Sequence, residues 1–182
     1  MIRAEDLPSN VLVRRLTYAG FVLVAYELVK SMIVAPIKAF YADMTFGQGM
    51  PFKSYNADVR VRHKSEFEAC LLYLRDFMEA LDADDVNTIQ NLREHRNELA
   101  HSLTRKLPIL RLADCRALWA KVDRTLFKLS NYRAYMEIGA DPEFRGINWE
   151  TATGGEYLLF ERVVEAMKLL NTESDAAPEE WL

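Results

Sequence analysis

The chain is predicted to be all-α, a bundle of four to five helices. Three observations predict it. Gly and Pro are scarce, 7 and 6 in 182 residues, which argues against a loop-rich β-sandwich. Apolar residues recur at spacings of three and four over long stretches, the period of a helix with one buried face. No segment shows a convincing strand pattern, and no internal repeat is visible. Half of the residues are hydrophobic (50%), enough for a sizeable core. The length suits one domain, expected to span 1–172, with an acidic tail at 173–182.

The first helix is expected from about Pro8-Ser9-Asn10 to Val34. It is apolar on more than one face (Leu12, Leu16, Val22, Leu23, Val24, Val29, Ile33), as in a helix buried on two sides by its own domain or by a second subunit. Pro36 should kink or end it, and Ile37 to Met44 could add a short helix. Phe46 to Lys64 reads as a long loop, with Gly47, Gly49, Pro51 and Asn56 and no clean period. Ser65-Glu66-Phe67-Glu68 matches a capping box, opening a second helix to about Leu81. Asp84 and Asp85 cap and charge the start of a third, which runs to about Lys106 and is stopped by Pro108. A fourth spans about Leu112 to Ile138, with Leu118, Val122, Leu126 and Leu129 on one face. After an irregular stretch, a fifth spans about Glu156 to Leu170.

Formal net charge is −4, so the molecule as a whole is no obvious polyanion binder. From Asn171 to the end there are four acidic residues and no Lys or Arg, so without that tail the charges balance. Leu103 to Arg133 holds eight basic residues against Asp114 and Asp123, an excess that could attract a phosphate backbone or simply form a solvated face. Cys70 and Cys115 sit among apolar neighbours, as buried free thiols in a reducing cytoplasm would. The opening Met-Ile-Arg-Ala-Glu-Asp lacks the apolar core of a signal peptide. The most apolar run, Tyr18 to Tyr26, is about half the length that spans a bilayer, so no membrane segment is expected.

The sharpest feature is Arg96-Asn97-Glu98-Leu99-Ala100-His101 in the third helix. Ile89, Leu92, Leu99 and Leu103 form its apolar stripe, and Arg96 fills the vacant slot in it. At about 100° per residue, Asn97 lies roughly 100° round from Arg96 and His101 roughly 140°. A charge at a core position needs a reason. It could be an ion pair to a Glu or Asp on another helix, or part of a site.

These residues resemble the signature of HEPN domains, an all-α family found in prokaryotic toxins and RNA-cutting defence proteins. That signature is an Arg, a polar residue (often Asn), and a His after a short gap; Arg96, Asn97 and His101 match its shortest form. The resemblance covers about residues 10–135 and implies a four- or five-helix bundle with the motif on a helix. Ser102 and Leu103 stand where some toxin subtypes carry a Tyr just after the His. The resemblance further implies metal-independent RNA cleavage. A ribose 2′-hydroxyl attacks the adjacent phosphate, giving a cyclic phosphate and a 5′-hydroxyl. A cytoplasmic role in a toxin–antitoxin pair or in phage defence is expected with it. The alternative is a catalytically silent HEPN-like module that binds RNA, a nucleotide or a protein partner and dimerises.

The chemistry suits the residue types. An imidazole accepts or donates a proton near neutral pH, and a guanidinium offers a cationic fork to a phosphate. Asn97 could orient that phosphate or hold His101 in one tautomer. Arg96, Asn97 and His101 are therefore the candidate catalytic residues, with Arg93, Arg105 and Lys106 as candidate substrate contacts. One chain supplies one motif His, whereas the reaction benefits from an acid and a base. A homodimer pairing the motif helices would supply both, and an antitoxin or regulatory protein is a further possible partner. Glu98 could favour the charged form of His101 or be a solvated glutamate. His95 points away from the motif groove on the wheel. His63 and His95 do not make metal-ligand spacing with His101, no Cys-x-x-Cys occurs, and Gly47-Gln48-Gly49 lacks a nucleotide-loop context. No metal and no cofactor are expected.

Overall fold

The computed structural model describes residues 3–44 and 53–170. The notebook of elements is α1 (Ser9–Met44), α2 (Lys53–Asp58), α3 (Glu66–Asp76), α4 (Ala83–Lys106), α5 (Arg116–Ile138) and α6 (Gly155–Leu170), with no strand among the described residues. α1 packs against α3, α4 and α6, and α5 against α4 and α6, so that α1, α4, α5 and α6 close a ring. Buried residues from all six helices share one core, among them Tyr18, Tyr55, Phe67, Ile89, Trp119 and Phe160. The all-α expectation holds. Residues 46–52 of the expected loop and the acidic tail lie outside the described residues.

α1 differs from expectation. It runs unbroken through Pro36 to Met44. Proline removes one backbone donor and crowds the preceding turn. Met32 and Ile33 before it and Ile37 and Tyr41 after it are all buried in the same core, and this packing on both sides holds the helix together. Nor is α1 buried all round: Val13, Leu16, Leu23 and Val24 are exposed. By length and composition α1 is a helix that could cross a membrane, the one such helix among the described residues. In this fold it is the core helix, with Tyr18, Val22, Ala25 and Val29 at zero exposure.

The described part of the expected loop is helical. Tyr55 and Val59, four residues apart and both buried, fasten α2 and the 3₁₀ turn Arg60–Arg62 to the core. Tyr55 donates to Glu66 at 3.0 Å, and Tyr41 donates to Asp58 at 3.0 Å. The capping box at Ser65 does not form: Ser65 makes no side-chain cap bond. Glu68, its expected other half, instead accepts from Gln90 and Arg93 of α4. α3 also stops at Asp76, short of Leu81, because the chain turns through Glu79 at φ 53°.

The start of α4 carries the box that Ser65 lacks. Asp82 is the N-cap; its side chain accepts from the Asp85 N–H at 2.9 Å, and Asp85 accepts from the Asp82 N–H at 3.0 Å. Asp85 also accepts from buried Thr125 and from Lys128 of α5. Asp85→Ala should therefore destabilise the fold by about 2 kcal/mol, losing a cap and stranding a buried hydroxyl. Urea denaturation measures this; a loss under about 0.5 kcal/mol contradicts it.

On α5 the core face runs through Trp119, Val122, Leu126 and Leu129, with Leu118 only half-buried. α6 buries Tyr157, Phe160, Val164 and Met167, a 3-4-3 spacing that matches one helical face. Both cysteines are buried and free, as expected, and burial pushes both thiols up.

Candidate functional site on α4

Arg96 occupies the seam between α4 and α1. Its Nη1 donates to the Asn97 Oδ1 at 3.0 Å, and its Nη2 lies 3.6 Å from a Glu27 carboxylate oxygen on α1. The guanidinium carbon stands 5.2 Å from the centre of the Tyr26 ring, a cation–π distance. At 3.6 Å the Glu27 contact is an ion pair rather than a hydrogen bond, so Nη2 keeps donor capacity. The Arg96 Nε is buried without a hydrogen-bond partner among the described residues. The misplaced charge thus has an ion-pair partner on another helix. It still leaves the guanidinium side chain partly exposed, at 29%.

His101 is exposed and makes no hydrogen bond among the described residues. Asn97, half-buried, spends its carbonyl oxygen on Arg96 rather than on His101. The structure therefore joins Arg96 to Asn97 and leaves His101 one turn away and open to solvent. α4 departs from helical geometry at the next residue, Ser102 (φ −135°, ψ 26°). A wheel drawn through this break misplaces whatever follows it. Arg105 lies there, exposed and donating to the Ser102 hydroxyl at 3.0 Å.

Of the expected substrate contacts, Arg93 is paired with Glu68 and Lys106 with Glu98, the latter at 2.7 Å. Arg105 is the one of the three with no carboxylate partner among the described residues. Glu98 is engaged by Lys106, which also holds its carboxyl below the usual range. Its electrostatic effect is felt by His95. In the wider basic stretch, Lys128 pairs with Asp82 and Asp85, and Arg133 with Glu137 and Glu156. Much of the apparent basic face is therefore neutralised internally. No group of three or more His, Cys, Asp or Glu residues is placed to hold a metal ion among the described residues.

On the opposite side of α4, His95 enters a polar network that the sequence does not announce. The Trp119 indole donates to the Tyr18 hydroxyl at 2.9 Å. An indole N–H is donor only, so the Tyr18 proton is left for the His95 Nε2, also at 2.9 Å. Cys115 Sγ lies 3.9 Å from the same nitrogen. Burial pushes the Tyr18 hydroxyl up and keeps it a donor. Burial also holds His95 below its ordinary value, with Glu98 opposing and Lys106 adding to the shift.

The sign of the His95 effect follows. The unfolded chain takes up a proton at a pH where folded His95 stays neutral. Its contribution to stability is complete above about pH 6.5, the ordinary imidazole value, and is lost as pH falls below it. A His95→Gln chain, which keeps an acceptor for Tyr18, should show a flatter stability profile between about pH 7 and pH 5. Equal slopes in the two urea-denaturation series would remove His95 as the cause.

The residues missed by sequence reasoning are Glu27 and Tyr26. A lone Glu on the greasy first helix was the available signal, but its partner lies across the bundle. No family model matches the chain, and neither a curated protein nor a solved structure matches it.

Proposed function

We propose that the chain is a HEPN-like, metal-independent endoribonuclease of toxin or defence type, acting in the cytoplasm as a homodimer. The observation that carries this reading is the order and setting of Arg96, Asn97 and His101. A guanidinium is fixed against α1 by Tyr26, Glu27 and Asn97, with an unencumbered imidazole one turn along the same helix. Arg96 draws the scissile phosphate and offsets charge developing on its oxygens. His101 accepts the 2′-hydroxyl proton, and His101 of the second copy protonates the leaving 5′-oxygen. Arg105 contacts the flanking backbone. An antitoxin or regulatory protein that covers this face would restrain such an enzyme.

The test is incubation of the purified chain with RNA in EDTA. Cleavage is expected, and Arg96→Ala should reduce it at least about 100-fold. Arg96→Lys should also fail to restore it, because an ammonium lacks the planar fork. Cleavage that survives Arg96→Ala overturns the reading.

A second reading is favoured by one observation: in the single chain Arg96 is satisfied by α1 and has no contact with His101. In a silent HEPN-like module that binds RNA, a nucleotide or a protein and dimerises, this pair would be structural. No cleavage of any RNA by a folded dimer selects that alternative.

A further inference from the structure

α1 carries two apolar faces, and the bundle covers one of them. The covered face is Tyr18, Val22, Ala25 and Val29. The other runs Val13, Leu16, Gly20, Leu23 and Val24, with exposures of 61% at Val13 and 52% at Val24. Positions 13, 16, 20, 23 and 27 follow the alternating three- and four-residue steps of a coiled-coil seam. The side chains amount to an apolar patch on the order of a few hundred Å², the scale at which exposed apolar surface marks an interaction site.

Gly20 sits at the middle of this seam. A Cβ built there meets nothing within 4 Å, so the single chain has no packing need for glycine. Glycine in a helix interior is otherwise a destabilising choice, and its use is close approach of another backbone.

We propose that this seam is where a second copy of the chain docks, antiparallel, about a two-fold axis at Gly20. Charge selects that arrangement. The seam begins beside Arg14 and ends at Glu27. A two-fold at Gly20 sets Leu16 against Val24 of the other copy, Thr17 against Leu23, and Glu27 beside residues 13 and 14. A parallel pairing would instead stack Glu27 on Glu27. Antiparallel packing also opposes the helix dipoles.

The same axis serves the motif. Arg96 lies beside Tyr26 and Glu27, and the Leu107 carbonyl accepts from Arg15, so α4 runs antiparallel to α1 with 96–107 alongside 15–27. His101 and Gly20 stand near the middle of these two stretches, and the axis brings the two motif segments to either side of itself. The functional meaning of the pairing rests on the ribonuclease reading; the seam itself does not. It moves the pairing surface from the motif helix to α1.

The test is sedimentation of the full-length chain at micromolar concentration, beside Gly20→Gln, Val24→Glu and, as a control on another exposed apolar residue, Val61→Glu. The wild type and the control should be dimers. Gly20→Gln and Val24→Glu should raise the dimer dissociation constant by roughly 30-fold or more. Gly20→Gln should keep or raise the monomer's melting temperature, since it replaces a helix glycine in open space. A monomeric wild type, or variants that pair as well as it does, overturns the proposal. So does a monomer that floats with phosphatidylglycerol vesicles, which would assign the seam to lipid. RNA cleavage read in parallel separates the two ideas: a seam-dependent dimer that cuts no RNA supports the seam and counts against the ribonuclease.

Discussion

RNA cleavage by His101→Ala should fall at least about 100-fold below the wild type while the fold is untouched. The two halves of this expectation come from different features. His101 is exposed and makes no hydrogen bond among the described residues, so its truncation removes no packing and strands no buried group. Surface substitutions of this kind shift stability by about 0.5 kcal/mol or less. A structural histidine behaves in the opposite way, losing stability first and activity only through it. Activity loss at constant melting temperature therefore assigns His101 to the reaction. Retained cleavage at constant melting temperature removes it.

Tyr18→Phe should destabilise the fold by about 3 kcal/mol, the largest effect expected of any single-atom deletion here. Tyr18 is fully buried, and its hydroxyl joins three helices: it belongs to α1, accepts from Trp119 of α5 and donates to His95 of α4. Deleting the oxygen leaves the Trp119 indole N–H without an acceptor and the His95 Nε2 without a donor. Two stranded buried groups cost more than the bonds themselves contribute, because each loses water and gains nothing. The ring's apolar packing stays in place, so the effect isolates the hydroxyl. A shift in the urea midpoint at unchanged slope measures it; a change under about 1 kcal/mol would show that the network relaxes.

Much of this architecture was legible in the residues. The 3-4 spacing located α4, α5 and α6 because each buries a single stripe, and Asp84-Asp85 and Pro108 marked the ends of the motif helix. The misses have local causes. Pro36 was read as a break, but tertiary packing of Ile33 and Ile37 outweighs one missing backbone donor. Ser65 and Glu68 have the spacing of a cap, but Glu68 is claimed by Gln90 and Arg93, residues more than twenty positions away. The turn at Tyr55 and Val59 carries too few residues for a period to show.

The site was legible to the same extent. Arg96 on an apolar stripe was visible on a wheel, and so was the likelihood of a carboxylate from another helix; that Glu27 supplies it was not. The break at Ser102 leaves no mark in the sequence, so the positions of Arg105 and Lys106 could not be drawn from helical phase. The Tyr18–His95–Trp119 network depends on three distant segments meeting, and no local pattern encodes that.

The end groups left on a cut RNA test the central claim most directly. After incubation of the wild-type dimer with RNA in EDTA, the account predicts 2′,3′-cyclic phosphate and 5′-hydroxyl termini, the products of an internal 2′-hydroxyl attack. Products bearing 3′-hydroxyl and 5′-phosphate ends, or intact RNA, would contradict it.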